Sequence, residues 1–110
     1  MPDEPMENLA TELRRGALVL CVLSQLRERQ YGYSLSQGLA EKGMEVEQGT
    51  LYPLLRRLER QGLLESDWEL AEARPRRYYA LSGKGKDTLR DLTNEWDAMA
   101  GVMERMLGRK

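Results

Sequence analysis

The stretch that decides the reading of this chain is Gly49-Thr50-Leu51-Tyr52-Pro53-Leu54-Leu55-Arg56-Arg57-Leu58-Glu59-Arg60-Gln61-Gly62. Wound as a helix, it gathers Leu51, Leu54, Leu55 and Leu58 on one face. Gly49, Pro53, Arg56 and Arg60 fall on the opposite face, flanked by Tyr52 and Arg57. One face suits a core. The other is basic and keeps small residues near its start, where a helix can come close to a grooved partner. Helices that read DNA are divided in this way.

Upstream, Leu9, Leu13, Ala17, Leu20, Leu23 and Leu26 recur at helical spacing, which predicts a helix from Leu9 to Arg29. Its middle, Ala17-Leu18-Val19-Leu20-Cys21-Val22-Leu23, is apolar all round and should be covered on several sides. Gln30-Tyr31-Gly32 reads as its end. A second helix is predicted from about Tyr33 to Lys42, with Leu35 and Leu39 inward and Gly43 in the left-handed position after its last turn. Glu45 and Glu47 then lie near the positive end of the Gly49 helix, where carboxylates are favoured. Gly62 ends that helix, and Leu63 folds back over its last turn.

Downstream the period changes. Leu64, Ser66, Trp68 and Leu70 alternate with Glu65, Asp67 and Glu69, a strand with one apolar face. Arg77-Tyr78-Tyr79-Ala80-Leu81 is a second run of strand formers. The intervening Ala71-Glu72-Ala73-Arg74-Pro75-Arg76 reads as a turn with two arginines around a proline at its tip. Ser82 is suited to cap a last helix. There Leu89, Leu92, Trp96, Met99, Met103 and Met106 follow one another at alternating spacings of three and four, a heptad seam. A seam at the end of a small domain is expected to meet a partner chain.

Helices followed by a hairpin and one more helix make a mainly α fold with a small β-hairpin: a winged helix-turn-helix plus a long C-terminal dimerisation helix. The expected organisation is an acidic flexible tail over residues 1–8, a winged-helix DNA-binding domain over 9–81, and the dimerisation helix over 82–110.

Composition sets the outer limits. A chain of 110 residues is one domain with little to spare. Two Trp, five Tyr and no Phe leave a core of mostly Leu, Val, Met and Ala. The net charge of −1 argues little for a nucleic-acid partner, but its distribution is uneven. Residues 1–13 hold acids and no base, whereas residues 14–62 hold eight Arg or Lys against five acids. The lone Cys21 has no intramolecular disulfide partner, is expected to be buried and inert, and fits a reducing compartment. The acidic start does not resemble a signal peptide, and the longest apolar run is 7 residues, so a soluble cytoplasmic protein is expected.

The quoted stretch with Gly62-Leu63-Leu64 resembles the signature of the PadR family of bacterial transcriptional regulators. Arg74-Pro75-Arg76-Arg77-Tyr78-Tyr79-Ala80-Leu81-Ser82 is similar to that family's wing motif, and Tyr31-Gly32-Tyr33 to its opening of the second helix. The likeness spans about residues 9–90. Tyr31 stands where the family often has His, and Ser82 where it often has Thr, which leaves the cap intact. One helix after the wing makes the chain similar to short members. The resemblance implies a homodimeric winged-helix repressor whose last helix packs with the first helix of its partner.

On this reading Gln48, Gly49, Thr50, Tyr52, Pro53, Arg56 and Arg57 face DNA, with Tyr33 at the start of the second helix and Arg74 and Arg76 on the wing. The plain alternative is a solvated face with ordinary surface ion pairs. Arg77 is ambiguous, because alternation can turn it against the sheet. Leu89, Leu92, Trp96, Met99, Met103 and Met106 form the dimer interface. Trp96 with its symmetry mate, and Met99, would wall a pocket for a planar aromatic effector, or Trp96 simply packs the dimer.

Enzyme readings fail. There is no His for a His-based triad or zinc site, and no cofactor or metal is expected. Ser82-Gly83-Lys84-Gly85-Lys86-Asp87 is no phosphate loop: Ala80 replaces the earlier Gly, and Asp87 stands where Ser or Thr is needed. The main rival is a winged-helix protein–protein interaction module without DNA binding.

Overall fold

Leu51, Leu55 and Leu58 meet a leucine core assembled from every helix of the chain, and that core determines how the elements stack. The structure, a computed structural model, describes residues 4–109. The order is α1 (Glu4–Gln25), β1 (Gln30–Tyr31), α2 (Gly32–Glu41), α3 (Gln48–Arg60), β2 (Leu64–Ala71), β3 (Arg74–Leu81) and α4 (Gly83–Leu107). The strands form one antiparallel sheet in the order β1-β3-β2.

The helix α1 begins at Glu4, within the stretch expected to be a flexible tail; residues 1–3 of that expectation lie outside the described residues. Pro5 is tolerated because a first turn has no N–H bond to lose, and Glu4 and Glu7 sit at the positive end. The helix also stops earlier than expected, at Gln25. The Leu26 N–H bonds back to the Val22 and Leu23 carbonyls, and the Gln30 side-chain amide donates to the Gln25 carbonyl at 2.7 Å. Gln30 and Tyr31 then pair with Tyr79 and Tyr78 as a third strand instead of merely ending a helix.

Leu18, Val22, Leu23 and Leu26 of α1 are buried with Leu35 and Leu39 of α2, the α3 leucines, Leu63, Leu64, Tyr79, Leu81 and Leu89. Each such side chain contributes about 1.5–3 kcal/mol by leaving water. Leu9 and Leu13 lie beyond this core and are exposed; Leu54 and Cys21 are half-buried at its edge, so Cys21 is less covered than expected. Gly43 and Gly62 take φ of 99° and 82°, with the Met44 N–H reaching Leu39 and the Leu63 N–H reaching Leu58, which closes α2 and α3 as predicted.

The hairpin turns at Glu72-Ala73, not at Arg74-Pro75-Arg76. Both turn residues are left-handed, at φ 53° and 64°, a conformation that costs a non-glycine residue about 1–2 kcal/mol. Arg74, Pro75 and Arg76 belong to β3, and Arg74 pairs with Ala71. Proline is accepted there because β1 pairs only with Tyr78 and Tyr79, so β3 has a free edge on that side at Pro75.

The start of α4 is fastened to the end of α3. The Ser82 hydroxyl accepts from the Gly85 N–H at 3.0 Å and donates to the Gly62 carbonyl at 2.6 Å. The Lys84 ammonium donates to the Gln61 carbonyl at 3.1 Å. Gly85 is buried, and a Cβ there would overlap the Leu63 carbonyl oxygen. The segment that superficially resembles a phosphate loop is thus a close-packed joint.

Candidate nucleic-acid interface

The three buried leucines of α3 turn its other side outward. Gln48, Gly49, Thr50, Pro53, Arg56 and Arg57 are exposed, and Tyr52 is half-buried. Arg56 and Arg57 have no ion-pair partner among the described residues. Glu47, at the N-cap, gives α3 no side-chain cap; its carbonyl accepts from the Thr50 and Leu51 N–H groups at 2.9 Å, which leaves those of Gln48 and Gly49 at the open end. Glycine in a helix costs about 0.5–1 kcal/mol relative to alanine. At Gly49 an added Cβ would meet nothing within 4 Å, so packing inside the chain does not require it. Pro53 withholds the N–H that would reach the Gly49 carbonyl, and both residues face solvent.

The opening of α2 abuts this face. Gly32 is needed there: a Cβ would stand 2.6 Å from Cε1 of Tyr52. The Tyr52 ring therefore lies against α2, beside the exposed Tyr33, whose hydroxyl accepts from the Gln37 amide at 3.1 Å.

The register of the wing sorts its arginines. Residues directly opposite in an antiparallel pair share a face. Leu64, Ser66, Trp68 and Leu70 pair with Leu81, Tyr79, Arg77 and Pro75 on the face that packs toward α3. Asp67 and Glu69 pair with Tyr78 and Arg76 on the other. Arg77 belongs to the first set and is held: its Nη2 donates to Glu59 Oε1 at 2.9 Å and its Nε to Ser66 Oγ at 3.0 Å. Ser66 Oγ donates in turn to Glu59 Oε2 at 2.7 Å. This triangle ties the last turn of α3 to both long strands. Burial raises the Tyr79 phenol above its ordinary value, with the Arg77 cation opposing.

Arg76 lies on the second face, half-buried, its guanidinium 4.4 Å from the centre of the Tyr31 ring and 3.8 Å from Glu72. Arg29 stacks on Tyr78 at 4.3 Å and binds both Asp67 and Glu69; the hydrogen bond it donates to the Asp67 carboxylate raises its already high pKa. Tyr31 and Tyr78 meet edge to face at 5.6 Å between centroids, so the two arginines cap a pair of rings. Arg74 is exposed and without an ion pair among the described residues. Of the two wing arginines singled out in the sequence, Arg74 is free and Arg76 is laid against Tyr31.

A groove of about 370 Å³ runs between these elements, lined by Tyr31, Gly32, Tyr33, Tyr52, Arg56, Trp68, Arg76, Arg77 and Tyr79. It brings Tyr33, Tyr52, Arg56 and Arg76 together. Gln48, Gly49, Thr50, Pro53, Arg57 and Arg74 do not line it. Three features went unforeseen. The Arg29 pairings join residues 38 and 40 positions apart, beyond any local pattern. The Glu59–Arg77 pair spans 18 positions, again more than a local pattern covers. Trp68, by contrast, was visible in the alternation, but its exposure was not.

A second surface lies on α4. Leu89 is buried in its own chain and Leu92 half-buried against the same core, so the first two seam positions are already occupied. Trp96, Met99, Met103 and Met106 are exposed, as are Leu9 and Leu13 of α1. No group of three His, Cys, Asp or Glu side chains among the described residues could hold a metal.

Comparisons with known proteins agree with one another. The model of the transcriptional regulator PadR-like family matches residues 19–91. Transcriptional regulator Rv3488 of Mycobacterium tuberculosis is 35% identical over 98 residues, which cover 88% of this chain and 89% of the relative. The crystal structure of a PadR family transcriptional regulator from Eggerthella lenta is similar at a TM-score of 0.88 and 45% identity, over 96% of this chain and 94% of that one. A PadR-like transcriptional regulator from Bacillus cereus has a TM-score of 0.80 and 28% identity, over 90% and 99% of the two chains.

Proposed function

The chain belongs to the transcriptional regulator PadR-like family, and from that premise we propose that it acts as a homodimeric, sequence-specific repressor of the PadR type. Its family and relatives are DNA-binding transcriptional regulators, not enzymes, and so is this chain. Beyond that, α3 of each subunit enters a major groove. Gln48, Thr50 and Tyr52 supply hydrogen bonds, and Arg56 and Arg57 neutralise phosphate or pair with guanine. Tyr33 touches the backbone, Arg74 and Arg76 reach flanking DNA, and Gly49 and Pro53 let the helix come close. The observation that carries this reading is the exposed side of α3, with two unpaired arginines and a glycine that no contact within the chain requires.

The dimer forms through Trp96, Met99, Met103 and Met106 of α4 against the partner, with α1 of one subunit beside α4 of the other. Leu89 and Leu92 support that surface from within. Two-fold symmetry then asks for a pseudo-palindromic operator. A planar aromatic effector fits between Trp96 and its symmetry mate, beside Met99, and releases the DNA by changing the angle of the arms. The regulator works in the cytoplasm; no described helix is long and apolar enough to cross a membrane.

Selection of random duplex DNA by the purified protein should return a palindromic consensus. Recovery of no sequence would instead favour an interaction module for proteins. On the selected duplex, Arg56→Ala should weaken binding about tenfold without loss of folding. Met99→Glu should convert the sedimenting dimer to monomer, and a persistent dimer would remove the α4 seam from the interface.

A further inference from the structure

The side of the wing that faces α3 changes character along its length. At its root Leu64, Leu81 and Tyr79 are buried, and the Glu59–Arg77–Ser66 triangle covers the next rung. Beyond the triangle the same face is apolar and uncovered: Trp68 is 64% and Leu70 76% exposed, opposite Arg77 and Pro75. The Arg77 guanidinium, paired with Glu59, also lies over the Trp68 ring at 5.8 Å from its centre, and the rest of that ring is open to solvent. The reverse face of β2 is acidic, with Glu65, Asp67 and Glu69. Asp67 and Glu69 are held there by Arg29, and Arg74 and Arg76 share that face, so it is a mixed-charge surface, whereas the α3 side offers an apolar wall.

That wall is one side of the groove whose other side holds Tyr52 and Arg56, and it is continuous with the exposed face of α3. The unpaired Arg56 lines its α3 side, and the unpaired Arg74 stands one residue past the Leu70–Pro75 rung, at the wing tip and on the reverse face of the sheet. An occupant must therefore be anionic at intervals with an apolar surface between the charges. A deoxyribose flanked by phosphates has that pattern. Resting on the DNA-binding reading above, we propose that Trp68 packs against the sugar wall of the DNA strand lying between α3 and the wing. The neighbouring phosphates lie toward Arg56 and Arg74. Trp68 supplies affinity by excluding water, without releasing counterions.

The test is a salt titration of binding to the selected duplex by the wild type, Trp68→Ala, Trp68→Phe and Arg74→Ala. Trp68→Ala should bind about tenfold more weakly at every salt concentration with an unchanged slope of log K against log salt. Trp68→Phe should keep most of the affinity, because it keeps an aromatic wall. Arg74→Ala should make the slope shallower by about one. In a Trp96→Phe background, emission from Trp68 should shift to the blue on adding duplex. If Trp68→Ala binds like the wild type while Arg56→Ala is weakened, the sugar-wall contact is overturned and the DNA reading stands. A reduced salt slope in Trp68→Ala would also overturn it, because the tryptophan would then act through phosphate contacts. If the wild type binds no duplex, both readings fall together.

Discussion

The helices α3 and α4 carry the same kind of sequence pattern and come to different ends. Each has one apolar stripe at spacings of three and four. In α3 the stripe is spent inside the chain: Leu51, Leu55 and Leu58 are almost wholly buried. In α4 only Leu89 and Leu92 find cover, and from Trp96 onward the stripe faces outward. Periodicity reports that a face exists. What covers that face depends on whether the rest of the chain extends far enough, and here it runs out one turn past Leu92. The folded domain therefore ends within a helix instead of at a loop.

The sharpest way to break this contrast is to truncate both stripes. Leu55→Ala should cost about 2–5 kcal/mol in chemical denaturation, through lost burial and the cavity left behind. Met106→Ala, made on a surface exposed within its own chain, should change stability by less than about 0.5 kcal/mol when the melt is run at concentrations too low for the proposed dimer. Equal costs would mean that α4 is as deeply embedded as α3. The joint between the helices should be nearly as sensitive. Gly85→Ala forces a Cβ into the Leu63 carbonyl and should cost about 1–3 kcal/mol by the same denaturation, since backbone there must give way. The smallest effect concerns Tyr79, where β3 meets the α3 side of the wing. Its folded-state pKa is raised, chiefly by burial, so its contribution is complete below the unfolded value of about 10 and is lost as pH climbs through the folded value. Urea melts at pH 8 and above pH 10 should show the wild type losing stability more steeply than Tyr79→Phe over the alkaline range alone. Parallel losses would show that the Tyr79 phenol is not held neutral by the fold.

Much of the winged helix was legible because its signals are local. Gly43 and Gly62 mark helix ends through backbone conformations that other residues avoid, and Ser82 caps α4 through a bond to a residue three positions on. The strand β1 left no signal, since two residues cannot display a period. The wing turn was misplaced because Pro75 and its arginines advertise a turn, whereas the chain bends at Glu72-Ala73, neither of them a turn former by type. The sequence put Arg76 on the wing surface and left Arg77 ambiguous, since alternation could turn it against the sheet. Cross-strand register gave one to Tyr31 and the other to Glu59. The exposed side of α3 was legible except at Tyr52, which is half-buried against Gly32, because burial of one face of a helix turns the other outward.

The clasp of Ser82, Lys84 and Gly85 on the carbonyl end of α3 leaves no slack between the two helices. With 25 residues, α4 is a shaft about 37 Å long. Tilting such a shaft by about 5° around its far end sweeps the clasp through about 3 Å, close to the ~3.4 Å between successive base pairs. In the proposed dimer, whatever turns the shaft would therefore change the gauge of the molecule, the distance between its two α3 helices, by steps on the scale of the ruler they are laid against.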